Sequence, residues 1–144
     1  MARYFTLEQA QALVPRLAES VQQALSLKAS IDDSEKELRG ESERIRLTGG
    51  ALVRREKLVG TLQKRESTAA QLRETLSAIQ EHGCLVKDLD TGLLDFPTLF
   101  RGEEVYLCWR LGEEKIAFWH AVSDGFRGRK PIDQDFLDNH RGEA

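Results

Sequence analysis

Apolar residues recur every seven positions along the first part of the chain, which is the spacing of a coiled-coil seam. Lys28 and Glu35 interrupt one row of this seam, so the seam weakens toward its far end. The pattern predicts a long helix over residues 7–38. The two apolar rows are Leu7, Val14 and Val21 in one, and Ala10, Leu17, Ala24, Ile31 and Leu38 in the other.

The start of this helix carries an N-terminal capping signal. Thr6 is placed as the N-cap, and Gln9 stands three residues later, where it can complete a capping box. Pro15 lies inside the helical pattern and lacks the backbone N–H that a helix interior uses. We therefore expect a kink or a break in the helix near Leu13 and Val14.

A second seam with the same spacing predicts a second helix over residues 51–82. Gly83 follows it and suits a left-handed C-terminal cap, while Gly40 and residues 48–50 are the obvious breakers between the two helices. Equal predicted lengths and a short connection indicate an antiparallel helical hairpin. Each helix then buries its seam against the other helix or against a partner chain. The second seam consists of Leu58, Arg65, Leu72 and Ile79 in one row and Leu62, Ala69 and Leu76 in the other.

Beyond Gly83 the apolar period changes to two, which is typical of strands. Residues 84–89 and 93–96 are predicted as two strands joined by a turn at residues 90–92. Pro97 should prevent a central strand from continuing, because it cannot donate to a sheet ladder.

Residues 105–111 and 116–121 are predicted as a further hairpin with two partly apolar faces, both of which need a cover. The fold class is therefore α+β: a long antiparallel helical hairpin packed on a small antiparallel sheet of three or four strands. We expect one domain, with the helical hairpin at 6–82, the sheet region at 83–138 and a frayed tail at 139–144.

Composition narrows the class of protein. The chain has 144 residues, 31% of them charged and 40% hydrophobic, as in a folded protein. A net charge of −3 argues against broad binding to nucleic acid or to an anionic membrane. No apolar run is long enough for a membrane span and no signal peptide is apparent, so we expect a cytoplasmic protein.

Short segments spread over nearly the whole chain form a recognisable combination. They are residues 5–10 with Leu13 and Pro15, then 86–88, 92–97, 106–113, 119–120 and 125–129. Together they resemble the signature of DUF2203, a bacterial family of unknown function, with a variable hairpin between the first two blocks. The resemblance implies no established activity.

His120 is the most interesting titratable residue, since histidine can serve as a base, an acid or a metal ligand. The structural alternative is a half-buried imidazole bonded to a backbone carbonyl or to a nearby aspartate. A metal site could be built from Cys84, Cys108 and His120, with Asp88 or Asp95 as a further ligand. Their spacings of 24 and 12 contain no close ligand pair, and Cys108 suits a small apolar position. We therefore predict neither a metal site nor a cofactor.

The segment from Gly125 to Lys130 is the best candidate for anion binding. Its glycines allow backbone N–H groups to turn inward, and guanidinium groups bind phosphate or carboxylate through two hydrogen bonds. The alternative is a turn whose arginines pair with nearby aspartates, with Asp88, Asp124 and Asp133 among the candidates. Asp95 lies in an apolar run and needs a partner, for which an arginine is our favoured choice. The candidate ligand-binding residues are Tyr106, Arg110, Trp119, His120, Arg127 and Arg129.

The predicted tip of the helical hairpin has a slight basic surplus. Without nearby aromatic residues to stack on bases, a solvated tip is favoured over an RNA-binding arm, so nucleic acid is not an expected partner. The basic residues at the tip are Arg44, Arg46, Arg54, Arg55 and Lys57, against Glu41, Glu43 and Glu56.

Two functional hypotheses follow. The first is a non-enzymatic interaction or scaffold module that uses the helical hairpin for self-association or for a protein partner. The second is a small anionic-ligand-binding protein or an enzyme, with its site around Trp119, His120 and residues 125–129. Whether the chain catalyses a reaction is left open by its sequence.

Overall fold

The computed structural model describes residues 3–48 and 52–143, with side chains for 3–47 and 55–143. The chain divides into two compact units. The first comprises Met1–Gln22 with Leu76–Ala144 and is called the sheet unit below. The second, Gln23–Thr75, is called the hairpin unit.

Two long helices and one sheet confirm the α+β class. The elements are α1 Leu7–Thr48, α2 Leu52–Glu81, β1 Leu85–Asp88, β2 Leu93–Phe100, β3 Glu103–Arg110, β4 Phe118–Ala121, a 3₁₀ turn Phe126–Gly128, β5 Lys130–Pro131, α3 Gln134–Asn139 and β6 His140–Arg141.

The predicted capping signals are confirmed at both ends of the helical pair. The Gln9 backbone N–H donates to Thr6 Oγ1 at 3.1 Å, and the Thr6 N–H donates to Gln9 Oε1 at 3.0 Å, which completes the capping box. Gly83 has a φ of +98° directly after the last turn of α2, as a left-handed cap requires.

The break predicted near Pro15, as the alternative to a kink, and the helix end predicted before Gly40 are both wrong. α1 runs without interruption through Pro15 and Gly40 to Thr48, ten residues beyond the predicted end. Pro15 is exposed while Val14 and Leu17 beside it are buried, so packing holds the helix on both sides of the missing bond. Gly40 costs a helix only about 1 kcal/mol. Ion pairs one turn apart, such as Glu43–Arg46, accompany the continuation.

The sheet has six strands in the described part of the chain, rather than the predicted three or four. Strands β1 to β5 lie in chain order and pair antiparallel, and β6 pairs with β2. The two additional strands, β5 and β6, have two residues each, too few for an alternation pattern to reveal. The pairing of His140–Arg141 with β2 also gives order to a segment that the sequence predicts to fray.

Strand β2 is central and yet continues through Pro97, contrary to the prediction. Its other edge pairs with β1 up to Asp95 and with β6 from Leu99, so Pro97 lies between these two short strands. The Phe5 N–H fills this place by donating to the Pro97 carbonyl at 2.7 Å. In an antiparallel strand the nitrogen and the carbonyl of one residue face the same side, so the nitrogen of Pro97 also faces this edge and not its β3 partner Tyr106. The missing N–H therefore costs no ladder hydrogen bond, because neither β1 nor β6 pairs with Pro97.

One face of the sheet, called the helix face below, carries the apolar core of the sheet unit. Its central residues are fully buried, and the Phe5 ring meets the Phe96 ring edge-on at 5.4 Å between centroids. The first turns of α1 contribute the buried seam residues predicted for them. The core includes Ala10, Val14, Leu17, Val21, Ile79, Leu94, Phe96, Leu107 and Trp109.

Replacing Gly92 with alanine is expected to lower the free energy of unfolding by about 2 kcal/mol or more. Gly92 has a φ of +69°, and an added Cβ would lie 2.5 Å from the Leu111 Cβ. Gly102 is the matched control, since its φ of +83° carries the same backbone penalty but an added Cβ meets nothing within 4 Å. Urea denaturation of Gly92→Ala and Gly102→Ala compares the two. An equal loss in both variants would show that contact with Leu111 adds nothing.

Candidate functional site

The face of the sheet opposite the helix face holds three polar side chains in its centre. Asp95 on β2, Cys108 on β3 and His120 on β4 are all buried, none more than 3% exposed. Asp95 lies directly opposite Cys108 in the ladder, and His120 lies opposite Tyr106 on the next strand. One potential ligand atom from each of the three side chains lies within 4.8 Å of the other two. We call these three residues the polar centre.

Both ring nitrogens of His120 have hydrogen-bond partners. Nδ1 lies 2.8 Å from the Ala121 carbonyl oxygen, which can only accept, so Nδ1 carries a hydrogen. Nε2 lies 3.0 and 3.1 Å from the two carboxyl oxygens of Asp95. A hydrogen must therefore lie between the ring and the carboxyl group, donated by one of them to the other. The predicted bonds to a carbonyl and an aspartate are both present, although the ring is buried rather than half-buried.

The prediction that Asp95 pairs with an arginine is wrong, because its partner is His120. Strand β3 separates the two residues, and the small Cys108 side chain opposite Asp95 leaves room for the imidazole to reach across it. Sequence alternation placed Asp95 and His120 on strands but could not give the register that brings them together.

Burial raises the pKa of the Cys108 thiol to about 12, and the charge of Asp95 and its hydrogen bond with the thiol act in the same direction. Burial also raises the pKa of Cys84 to about 11, and its Sγ donates to the Ile79 carbonyl at 3.3 Å. Both thiols are free and buried.

We expect neither cysteine to react with Ellman's reagent at about pH 8 in the folded protein, because almost no thiolate is present and both sulfurs are buried. Unfolding in guanidinium chloride should release two reactive thiols per chain, one from each cysteine. Rapid labelling of the folded protein by one equivalent of reagent would contradict this, and Cys84→Ser would show which thiol reacts.

The predicted ligand-binding residues fall on both faces of the sheet. The Tyr106 ring meets the His120 ring edge-on at 5.6 Å between centroids. Trp119 points to the helix face instead, where it packs against Phe100 and Phe136. Successive strand residues alternate between faces, so Trp119 and His120 cannot line one surface.

The arginine residues of the predicted anion site differ in their surroundings. Arg129 lies over the Phe118 ring at 4.0 Å and the Phe126 ring at 4.6 Å, and it donates to Glu113 Oε2 at 2.6 Å. Its charge is thus balanced by Glu113, which sequence reasoning did not consider. Arg110 is exposed and lies 5.6 Å from the Phe126 ring centre, and Arg127 is exposed.

A cleft of about 720 Å³ in the sheet unit was not anticipated from the sequence. At its edge the Leu7 N–H donates to His140 Nε2 at 3.0 Å, and the Ile116 N–H donates to Gln11 Oε1 at 2.7 Å. These residues are more than 100 positions apart, so no local pattern could indicate the cleft. Its lining consists of Thr6, Leu7, Glu8, Gln11, Lys115, Ile116, Ala117, Ile132, Leu137 and His140.

Basic residues near the end of the hairpin unit have acidic partners. Arg44 lies 2.8 Å and Lys57 3.4 Å from Glu41 Oε1. Both cations are exposed, whereas the Glu41 carboxylate that they share is buried. The Arg54 side chain lies outside the described residues.

Comparison with known proteins gives a family and no activity. Among the described residues, no helix is long and apolar enough to cross a membrane. No curated protein and no solved structure shows significant similarity to the chain. The model of one family of uncharacterized conserved proteins matches residues 3–132, nearly the whole chain. The chain therefore belongs to the DUF2203 family.

Proposed function

We propose that the protein is a non-enzymatic interaction module that binds a second copy of itself through the hairpin unit. The observation that carries this proposal is a strip of exposed apolar side chains on α2. Val59 is 52% exposed and Leu62 47% exposed, and their spacing of three places them on one side of the helix. Leu47 on α1 is 73% exposed.

The seam between the two helices of the hairpin unit offers little apolar burial. Ser34, Glu41 and Thr61 are buried there, whereas Leu58 and Leu72 on the predicted seam are only partly buried. A pair of helices gains stability mainly by burying an apolar stripe. A further surface that covers the exposed strip would therefore stabilise the hairpin.

Charge complementarity supports a second copy as the partner. Residues 32–43 of α1 contain six acidic and two basic residues, and residues 54–65 of α2 contain five basic and one acidic residue. Within one chain these segments already attract each other, as the 2.7 Å ion pair between Arg65 and Glu35 illustrates. Two hairpins related by a two-fold axis would place each acidic segment beside the basic segment of the other copy in a four-helix bundle.

The second hypothesis, a small anionic-ligand-binding protein or an enzyme, has less support. His120 is buried with both ring nitrogens bonded, and Arg129 is balanced by Glu113. Free cysteines that are both buried agree with the expected cytoplasmic location, which is part of the proposal.

Sedimentation equilibrium of the full chain tests the proposed dimer. We expect a dimer in the wild type, and a dissociation constant at least about tenfold higher in Val59→Ser/Leu62→Ser, since each apolar side chain contributes about 1.5 kcal/mol or more when buried. Val122→Ser is the matched control, because Val122 is 51% exposed but belongs to the sheet unit. A monomeric wild type, or a dimer equally weakened by both substitutions, would contradict the proposal.

A further inference from the structure

The polar centre brings together three different metal-ligating side chains from three strands. We infer that Cys108 Sγ, His120 Nε2 and an Asp95 carboxyl oxygen form a binding site for a thiophilic divalent cation, of which Zn²⁺ is the best match. A thiolate, an imidazole and a carboxylate are the three ligand types that zinc uses in proteins. Sequence spacing argued against this site, because the three ligands are far apart in the chain and only the sheet register unites them.

The distances between the potential ligand atoms are close to those found between the ligands of a zinc ion. In a tetrahedral zinc site with Zn–N and Zn–O near 2.1 Å, a nitrogen and an oxygen ligand lie about 3.4 Å apart. His120 Nε2 lies 3.0 and 3.1 Å from the Asp95 oxygens, so small rotations of the two side chains would admit the ion. All three ligand atoms lie within 4.8 Å of one another.

The surroundings of His120 orient it as a metal ligand. Its Nδ1 donates to the Ala121 carbonyl at 2.8 Å, which directs Nε2 toward Asp95 and Cys108. Metal-ligating histidines commonly use their second nitrogen in this way. Cys84 is not part of this group of potential ligands. Its thiol donates to a backbone carbonyl and lies outside the cluster.

Charge balance also favours a divalent ion. All three side chains are buried, so a net charge among them would be costly. Without metal, the thiol hydrogen and the hydrogen between His120 and Asp95 keep the centre neutral. A divalent ion bound by thiolate, carboxylate and neutral imidazole keeps it neutral as well, with both protons released to solvent. The ion thus replaces two protons and leaves no buried charge unpaired.

Cobalt is the probe of choice, because its spectrum reports sulfur ligation directly. Since the centre is buried, the whole chain is unfolded under reducing conditions and refolded with Co²⁺. We expect one bound Co²⁺ per chain and a thiolate-to-cobalt charge-transfer band in the near ultraviolet. Both the bound Co²⁺ and the band should be lost when Zn²⁺ displaces the cobalt. A wild type that refolds with no charge-transfer band overturns the inference, whatever the variants do.

Two cysteine variants form a matched pair. Cys108→Ser should lose the charge-transfer band and weaken Co²⁺ binding at least about 100-fold, whereas Cys84→Ser should keep both. His120→Gln should weaken binding to a similar extent. Circular dichroism of each metal-free variant shows whether it has folded. Equal binding by folded Cys108→Ser and wild type would place the ion elsewhere and overturn the site. The dimer test is run with a chelator, so the two proposals fail independently.

Discussion

Replacing His120 with phenylalanine is expected to lower the free energy of unfolding by about 3–5 kcal/mol, which is the cost of breaking a buried charged or hydrogen-bonded pair. The substitution keeps a ring that can still meet Tyr106 edge-on. It leaves the buried Asp95 carboxyl group without the ring nitrogen that lies 3.0 Å from it. The remaining thiol of Cys108 can offer Asp95 only a weak hydrogen bond. Urea denaturation with a chelator present measures the hydrogen-bonded pair alone.

The double variant His120→Phe/Asp95→Ala separates this effect from lost packing. Removing the stranded carboxyl group together with the histidine should restore part of the stability, so the double variant should be more stable than His120→Phe alone. If instead the losses of the two single variants simply add, the carboxyl group is not stranded by the loss of His120. The cost would then come from packing around the ring.

Local signals correctly predicted the start of α1 and the end of α2, because a cap depends on a few neighbouring residues. The Thr6–Gln9 box and the left-handed Gly83 are both set by residues within one turn. The apolar seam of the first turns of α1 was also correct, since Ala10 and Leu17 are fully buried.

The errors arose where distant residues override a local preference. Pro97 breaks a strand only if a neighbouring strand needs its N–H, and here Phe5 approaches from far along the chain and donates to the carbonyl instead. Gly40 and Pro15 likewise disfavour a helix locally, but packing and ion pairs around them outweigh a penalty of one to a few kcal/mol. The local preferences of these residues can be inferred from the sequence. The tertiary contacts that outweigh those preferences cannot.

The candidate site was predictable only in its components. Alternation placed Cys108 and His120 on predicted strands, and an aspartate and a backbone carbonyl were both named as possible partners of His120. The pairing of Asp95 with His120 depends on the register of three strands, which no residue in those strands specifies alone. Arg129 was expected to find an aspartate and pairs with Glu113 instead.

Replacing Phe136 with alanine should cost about 3–5 kcal/mol of stability, as large truncations in a packed core do. Phe136 is fully buried, stacked on Phe100 at 4.9 Å and tilted against Trp119 at 5.0 Å between ring centroids. It lies beyond residue 132, where the family match ends. Leu137→Ala is the control. Leu137 is the next residue in the chain and is 40% exposed, so its truncation should lower the stability much less.

The effect should also reach the start of α1. Phe136 stacks on His140 at 5.1 Å between ring centroids, and His140 Nε2 accepts from the Leu7 N–H in the first turn of that helix. A helix N-terminus that loses an acceptor leaves a backbone donor unsatisfied. Hydrogen exchange of the Leu7 amide should therefore accelerate in Phe136→Ala beyond the change in global stability, and stay at the wild-type rate in Leu137→Ala. Unchanged exchange at Leu7 in Phe136→Ala would show that His140 is held in place without its aromatic neighbour.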